Sequence, residues 1–550
     1  MTTEQLEECP MRLKRSMMVI MMALLTAALG ACASAEEDAG SAETADASKG
    51  KDLVLAIGGE PDEGFDPTTG WGQYGSPLFQ STLLTYDEDL AIQKDLATDY
   101  HVSDDGLEWT IAIREDVQFS DGEDLTARDV VFTYKTAQTS GSVIDLSNVK
   151  SIEKADAHTM TFTLKEPDST FIDQLARIGI VPEHAYDEAY NEHPIGSGPF
   201  QLVEWRKGQQ LIVEANPHYY GDPPNFEKLT FLFLEEDAAF AAAQAGEADV
   251  AAVPPSLADE TVEGMRLVDL QSVDNRGVML PYPEAGGETE EGYPLGNAVT
   301  SDRAIRKAMN IAVDREGLVD GVLEGYGTPA YTIADDLPWW NPDTVIEDNR
   351  LADAKRLLAE AGWQENDAGV REKDGVEASF TLYYPSDDHI RQSLALAFAS
   401  QMEPLGLSIS TEGKSWDELE RLMPANPVMM GYGNQTPLEM YHTYSSHTKA
   451  ESLNNANYYS NPDVDRYMEQ AMRATSQEAA NAFWKKAQWD GETGFTAKGD
   501  APWVWLVNIE HTYFIKDDLK IGEQRIQPHG HGWPITDAIE NWHWQDAEEG

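Results

Sequence analysis

The chain carries an export signal and, beyond it, a single cysteine. A short basic patch over residues 11–15 is followed by an apolar run over residues 17–29. A basic start, about a dozen apolar residues and small residues at a cut site describe a secretory signal, because such a run is too short to span a membrane stably. Cleavage after Ala31 also removes Cys9 and leaves Cys32. We therefore expect a mature chain without disulfides or thiolate metal sites, in which any metal is held by histidine, carboxylate or a small-molecule chelator.

The residues around this cut also indicate a lipid anchor. Leu29-Gly30-Ala31-Cys32 resembles a bacterial lipobox, which implies that residues 1–31 are a lipoprotein signal peptide and that Cys32 becomes lipidated. Residues 32–50 are rich in Ala, Glu, Asp, Ser and Gly, which predicts an acidic tether. No later segment approaches about 18 consecutive apolar residues, so we expect the body outside the membrane, in the periplasm or on the outer face of the cell. Met11 is an alternative start, because the acidic stretch before it fits no signal peptide.

The body of the chain is strongly acidic. The 550 residues contain 39 Lys+Arg and 97 Asp+Glu, a formal net charge of −58. Nucleic acid is not an expected partner, because its phosphates would be repelled. Hydrophobic residues make up 41% of the chain, enough for a core, and the length allows two or three domains. We interpret the charge as a solvated surface suited to a salty medium, with cation collection as the alternative.

Strand and helix patterns are mixed along the body. Apolar stretches or alternation at residues 53–57, 107–113 and 159–164 predict strands. Spacing of 3.6 residues predicts helices over four ranges: 125–137, 237–245, 302–322 and 353–361. Ser301 or Asp302 can cap the third helix, and Gly362 can end the fourth. This pattern favours α/β lobes between which the chain crosses more than once.

Several short strings in the body belong together. They are residues 119–123, 126–134, 196–200, 216–221, 245–250, 303–308, 313–315, 361–363 and 459–465. Jointly they resemble the family-5 solute-binding proteins, the dipeptide, oligopeptide and nickel receptors of bacterial ABC importers. The resemblance covers residues 51–550. It implies an α/β, two-lobed periplasmic-binding-protein-like fold (type II, cluster C) that closes over a ligand and carries an extra subdomain in the first lobe.

The same resemblance sets out domains and partners. It implies a lobe I core from residues 51–84, 192–290 and 505–550, an extra subdomain over 85–191, and lobe II over 291–504. An ABC permease with its ATPase is the implied partner, and no enzymatic activity is expected. We also expect a small-molecule ligand and a monomer.

A candidate metal-binding loop lies near the C-terminus. His529 and His531 flank Gly530 in a stretch rich in Pro and Gly, which predicts a loop. Residues two apart in an extended backbone point the same way, so both imidazoles can meet one ion, with a structural loop as the alternative. Imidazole suits Ni, Cu, Zn and Fe, so the pair does not choose the metal.

The surroundings of this loop resemble the nickel branch of the family. The strings concerned are residues 60–61 with 64–67, 70–79, 431–439, 503–507 with His511, and 528–534. This likeness implies that Ni²⁺ arrives as transported ligand, bound to a small chelator such as histidine, and that a loop histidine completes its coordination. It implies no resident cofactor.

Five further residues are candidates for holding such a chelate. Trp71 and Tyr74 lie in a Gly-rich loop suited to pocket walls, with core aromatics as the alternative. Arg177 lies in an apolar stretch where a charge needs a partner, either a chelator carboxylate or a structural Asp or Glu. Tyr432 and Asn434 are candidates for the opposite lobe.

Other functions remain open at this point. A peptide receptor of the same family is the first alternative, although it leaves the His-Gly-His loop unexplained. A secreted hydrolase is disfavoured, because the chain has no His-Glu-x-x-His zinc signature, no Gly-x-Ser-x-Gly elbow and no cysteine nucleophile after cleavage. A structural adhesin is disfavoured by the mixed α/β pattern.

Overall fold

The computed structural model describes residues 50–61, 63–141, 144–449, 453–530 and 532–545. The predicted signal peptide, Cys32 and all of the tether except Gly50 lie outside these residues, as does His531. Within the described ranges, no helix is long and apolar enough to cross a membrane.

The first lobe is built on a seven-stranded mixed sheet, the lobe I sheet. Its strands in spatial order are Met265–Leu270, His511–Lys516, Val250–Val253, Asp52–Ala56, Lys228–Leu232, Gln210–Ala215 and Phe200–Arg206. The predicted first strand is confirmed, and it runs parallel to both of its neighbours. Helix Glu236–Ala245 covers this sheet and ends at Gly246, whose left-handed conformation suits glycine.

An extra subdomain interrupts the first lobe. Its antiparallel sheet has the order Ala97–Val102, Glu108–Ile113, Thr159–Leu164 and Val149–Lys154. Helix Ala127–Thr139 begins two residues later than predicted, because Thr126 and Asp129 form a capping box at its start. Helix Phe171–Arg177 follows the sheet, and the subdomain has its own cluster of buried apolar residues.

The second lobe contains a six-stranded sheet, the lobe II sheet. Its strands in order are Gly327–Pro329, Trp503–Ile509, Asn275–Met279, Val428–Met430, Ser379–Pro385 and Ser408–Lys414. Its helices are Arg303–Ala312, Arg315–Val322, Leu351–Glu360, His389–Met402, Trp416–Leu422, Leu438–Tyr444, Pro462–Met472 and Gln477–Gln488. The predicted helix over 302–322 is two helices, because Val313 is extended and Asp314 caps a new helix. Asp302, one of the two predicted cap residues, caps the first of them.

Shorter elements complete the described fold. They are helix Pro255–Ala258, the strand pairs Leu84–Tyr86 with Ile92–Lys94, Gly287–Glu288 with Pro294–Leu295 and Leu519–Lys520 with His543–Trp544, the small sheet Gln364–Glu365, Arg371–Lys373 and Val376–Glu377, and 3₁₀ turns at Pro67–Thr69, Glu183–Ala185, Pro342–Thr344, Glu403–Leu405, Ser446–Thr448, Pro534–Thr536 and Ile539–Asn541.

The chain passes between the two large sheets at two adjacent points. One crossing lies between Leu270 and Asn275, and the other between Ile509 and His511. The crossings are bonded to each other, since the Ile509 amide donates to the Asp274 carbonyl over 2.9 Å. The predicted lobe boundaries after residues 290 and 504 therefore differ from the sheet pairing. An apolar strand does not reveal in its sequence which of two buried sheets it joins.

Candidate ligand site at the lobe junction

A buried carboxylate stands where the two crossings meet. Asp274 forms an ion pair with Arg276, and its two oxygens lie 3.4 Å from His529 Nε2 and 3.5 Å from His511 Nε2. Burial alone would raise the pKa of Asp274, but Arg276, His529 and His511 together hold that pKa well below its usual range. Asp274 is therefore ionised, and its carboxylate lies beside the His529 imidazole.

Backbone hydrogen bonds hold the His529 loop against this junction. The Val273 amide donates to the Gln527 carbonyl over 2.8 Å, and the His529 amide donates to the Gly433 carbonyl over 2.6 Å. His511 Nδ1 lies 2.9 Å from Gln527 Oε1. The loop thus contacts both crossings and lobe II at once, so the predicted loop position brings His529 to the junction.

Arg177 and Asn434 join the lobes directly. Arg177 ends helix Phe171–Arg177, is only 6% exposed, and donates from Nη1 to Asn434 Oδ1. Its guanidinium also lies 5.9 Å from the centre of the Tyr86 ring. The hydrogen-bond partner of Arg177 is thus an amide, while the carboxylates of Asp173 and Glu439 lie near enough for the charge of Arg177 to lower the pKa of each against the effect of burial. The bond to the amide carries no charge compensation, so the compensating charges are these two neighbouring carboxylates.

Two carboxylates near this pair were not among the predicted site residues. Glu439 accepts from the Asn434 amide over 2.9 Å and from the Gly433 amide over 3.4 Å, and burial raises its pKa to about 7. Asp173 accepts from Thr436 Oγ1 over 2.7 Å, across the lobe boundary. Neither position stood out in a chain with 97 acidic residues, since only folding brings them beside Arg177.

The Gly-rich loop supplies one wall of a neighbouring cavity. Tyr74 lies close enough to Glu439 and Arg177 for both to affect its pKa, which burial, the largest cause, and Glu439 raise. Trp71 packs edge-on against Phe65 and Trp533, and its Nε1 donates to the Pro77 carbonyl over 2.7 Å. The cavity has a volume of about 370 Å³, and its other walls include Gly58–Pro61, Gly530 and Gly532.

The Tyr432 side chain packs into lobe II, although its backbone lies beside the first crossing, where its amide donates to Asn275 Oδ1 over 2.9 Å. Its hydroxyl donates to the Leu453 carbonyl over 3.1 Å, and its ring packs 5.8 Å from Trp503 in the lobe II core. The structure therefore brings His529, Arg177, Asn434 and Tyr74 to the junction and places Trp71 in the wall of the neighbouring cavity. The hydroxyl of Tyr432 is instead hydrogen-bonded to a backbone carbonyl in lobe II.

The junction offers charges and hydrogen bonds but few metal donors. Among the described residues, no group of three or more His, Cys, Asp or Glu is placed to hold a metal ion. A metal bound here would take most of its ligands from an accompanying molecule. Arg177, Asn434 and Tyr74 are suited to hold that molecule's polar groups.

Comparison with known families gives this geometry a context. Residues 91–452 match the model of the bacterial extracellular solute-binding proteins, family 5. The chain belongs to this family. It is 36% identical over 485 residues to Protein XP55 of Streptomyces lividans, covering 84% of this chain and 85% of that protein. It is 30% identical over 487 residues to the oligopeptide-binding protein AppA of Bacillus subtilis, covering 83% and 87%.

Solved structures share the two-lobed fold. NikZ from Campylobacter jejuni, in complex with Ni(L-His), is 25% identical with a TM-score of 0.74, over 90% of this chain and 99% of that one. AppA from B. subtilis, in complex with a nonapeptide, is 26% identical with a TM-score of 0.67, over the same shares of the two chains. NikA from Brucella suis, at 20% identity and a TM-score of 0.75, supports the fold alone.

Membership of the family establishes the general role. The protein is an extracytoplasmic solute-binding receptor of an ABC importer, which works with a permease and an ATPase and is not an enzyme. The predicted α/β two-lobed fold is confirmed.

Proposed function

We propose that the protein captures Ni²⁺ together with a small chelator such as histidine at the lobe junction and delivers the complex to its permease. The observation that carries the proposal is the pairing of His529 with the ionised Asp274 beside the crossings. A carboxylate that holds one ring nitrogen orients an imidazole and makes its other nitrogen a better metal ligand. His531, two residues further along the sequence, is proposed as a second ligand.

The remaining groups of the junction fit a chelator. Arg177 is buried and donates to the neutral Asn434, with Asp173 and Glu439 as its charged neighbours. Burial raises the pKa of Glu439 to about 7, so a chelator carboxylate would add an attraction for Arg177 when Glu439 is protonated. Tyr74 lies close enough to Arg177 for its charge to act on Tyr74, and Tyr74 and Trp71 both offer ring surfaces to the neighbouring cavity. The likeness to NikZ, whose solved structure contains Ni(L-His), supports the same ligand class.

We further propose that the mature protein is a monomer anchored to the membrane by lipid on Cys32. The motif at residues 29–32 supports the anchor. A Cys32→Ser variant should appear in the soluble fraction of cells, whereas the parent chain should sediment with membranes. Equal sedimentation of the two would contradict the anchor.

A peptide is the second candidate ligand. The 30% identity to the oligopeptide-binding AppA favours it. Arg177 and Glu439 at the junction supply a cation and a carboxylate, the charges that the two ends of a peptide need.

Calorimetry distinguishes the two ligands. Metal-stripped protein is titrated with Ni²⁺, with Ni²⁺ plus histidine, and with a nonapeptide. Tight binding of Ni²⁺ only when histidine is present supports the proposal, whereas tight binding of the nonapeptide with no response to Ni²⁺ overturns it.

Two substitutions assign the binding residues. His529→Ala is expected to lower the affinity for the nickel–histidine complex about tenfold or more. Even the loss of a residue that only supports a metal ligand typically lowers metal affinity by about this factor. The matched control is His447→Ala, because His447 is an exposed histidine that also pairs with a carboxylate, 3.0 Å from Glu469. Equal affinities of the two variants would remove His529 from the site.

A further inference from the structure

A second polar cavity shares the Gly-rich loop as a wall but has different chemistry. Its volume is about 330 Å³, and Gly72, Gln73, Gly75 and Ser76 border both this cavity and the one beside Trp71. Arg177 and Arg525 are the arginines along its walls, against six carboxylates. We call it the acidic cavity.

Both arginines of the acidic cavity are already engaged. Arg525 Nη2 lies 2.6 Å from Asp537 Oδ2, and the Arg177 guanidinium donates to Asn434. Within the described parts of the chain, Asp95 and Glu540 form no ion pair. Asp95 instead accepts hydrogen bonds from the Tyr220 hydroxyl and, over 3.3 Å, from the Thr82 amide.

The unpaired carboxylates lie close enough to repel each other. Burial raises the pKa of Asp95 to about 6, although the hydrogen bonds from Tyr220 and Thr82 and the charge of Arg114 act to lower it. Burial also raises the pKa of Glu540, and the charges of Asp537 and Asp95 raise it further. Such groups gain from a neighbouring cation, because a cation offsets both the burial and the mutual repulsion.

An independent observation shows that a hydrogen-bond donor is missing here. Gln80 borders the acidic cavity and is only 2% exposed. Its Nε2 donates to the Phe65 carbonyl over 3.2 Å and to the Tyr190 hydroxyl over 3.0 Å, which fixes the orientation of the amide. Its Oε1, which can only accept, has no donor among the described residues. A buried acceptor without a donor is costly unless a ligand or water supplies one.

We propose that the acidic cavity binds the ammonium group of an organic amine, which donates to Gln80 Oε1 and pairs with Asp95 and Glu540. A primary ammonium group carries three donors and one positive charge, which is the complement of these three acceptors. The amine is either a free small diamine or the side chain of a lysine in a captured peptide. The site does not require nickel, since its acceptors are separate from His529 and Asp274.

Calorimetry on metal-free protein tests the site with three probes: 1,4-diaminobutane, the tripeptide Ala-Lys-Ala, and Ala-norleucine-Ala, which lacks the ammonium group. Binding of the diamine or of the lysine tripeptide, with the norleucine tripeptide at least tenfold weaker, is the expected result, and the probe that binds identifies the source of the amine. No binding of either amine overturns the proposal. His529→Ala should leave amine binding unchanged, so failure of the nickel proposal does not affect this test.

Two substitutions check the location. Glu540→Gln and Asp95→Asn should each weaken amine binding about ten- to a hundredfold, because each removes a charged hydrogen-bond partner. Asp104→Asn is the control, since Asp104 is exposed and does not line the cavity. The thermal midpoint of Glu540→Gln should not fall, because the substitution removes a repulsive charge. Unchanged affinity in Glu540→Gln would overturn the assignment even if Asp95→Asn fails to fold.

Discussion

Gly433→Ala tests how closely three segments of chain pack at the lobe junction. A Cβ atom on Gly433 would lie 2.7 Å from the Val273 carbonyl oxygen and 2.9 Å from the His529 amide nitrogen. Both contacts are with backbone, which cannot turn aside as a side chain can. The Gly433 φ of +156° is also one that alanine rarely adopts.

The expected cost has two parts. Overpacking of this kind typically costs about 1–3 kcal/mol, and loss of the 2.6 Å hydrogen bond from the His529 amide to the Gly433 carbonyl adds about 1 kcal/mol. We therefore expect the free energy of unfolding to fall by about 2–4 kcal/mol. Because the substitution also displaces His529, affinity for the nickel–histidine complex should fall with it.

Gly530→Ala is the matched control on the neighbouring loop. There the new Cβ would lie 3.5 Å from Asp274 Oδ2, an ordinary contact, and Gly530 has no positive φ. Its stability should change by less than about 0.5 kcal/mol. Urea unfolding followed by tryptophan fluorescence gives both values. If Gly433→Ala unfolds at the same urea concentration as Gly530→Ala, the packing described for the junction is wrong.

Three further predictions concern buried charges and pH. Arg315→Met should lower the free energy of unfolding by about 3–5 kcal/mol, because the buried Arg315 guanidinium donates to Asp348 and to four other oxygen atoms, which would lose their hydrogen bonds. Arg350→Met, at an exposed arginine that also forms an ion pair, should have little effect. Similar urea midpoints for the two variants would contradict this prediction. Burial raises the pKa of Glu439 to about 7, so the folded protein holds the Glu439 proton more tightly than the unfolded chain does. The free energy of unfolding should therefore decline as pH rises from about 4.5 to 7. Glu439→Gln should flatten that decline, and an unchanged pH profile in this variant would contradict the stated cause. Nickel–histidine affinity should fall as pH drops through about 6, because a protonated imidazole cannot bind metal, and constant affinity from pH 5 to 8 would exclude a histidine ligand.

The local features of the fold were predictable from sequence. Alternation identified the strand Thr159–Leu164 to the residue, and the cap of the helix Arg303–Ala312 was narrowed to Ser301 or Asp302, of which the structure uses Asp302. These features depend on a few neighbouring residues. The sequence did not predict the end of the helix at Val313. An aspartate such as Asp314 is compatible both with a polar position inside one long helix and with the cap of a new helix.

The site residues were predictable only where their immediate sequence neighbours make them unusual. His529 and Arg177 stood out as a histidine in a loop and a charge in an apolar stretch, and both lie at the junction. Asp274 did not stand out, because its importance comes from residues 237 and 255 positions away in the chain. Pairing at such separations is decided by the crossing of the two sheets, which local patterns do not encode.

Anomalous diffraction at the nickel edge, from crystals grown with Ni²⁺ and histidine, tests the central claim most directly. We predict one strong peak at the lobe junction, about 2.0–2.2 Å from an imidazole nitrogen of His529, with the chelator's carboxylate against Arg177. A junction without a nickel peak, or a peak whose ligands do not include His529, would contradict the proposed function.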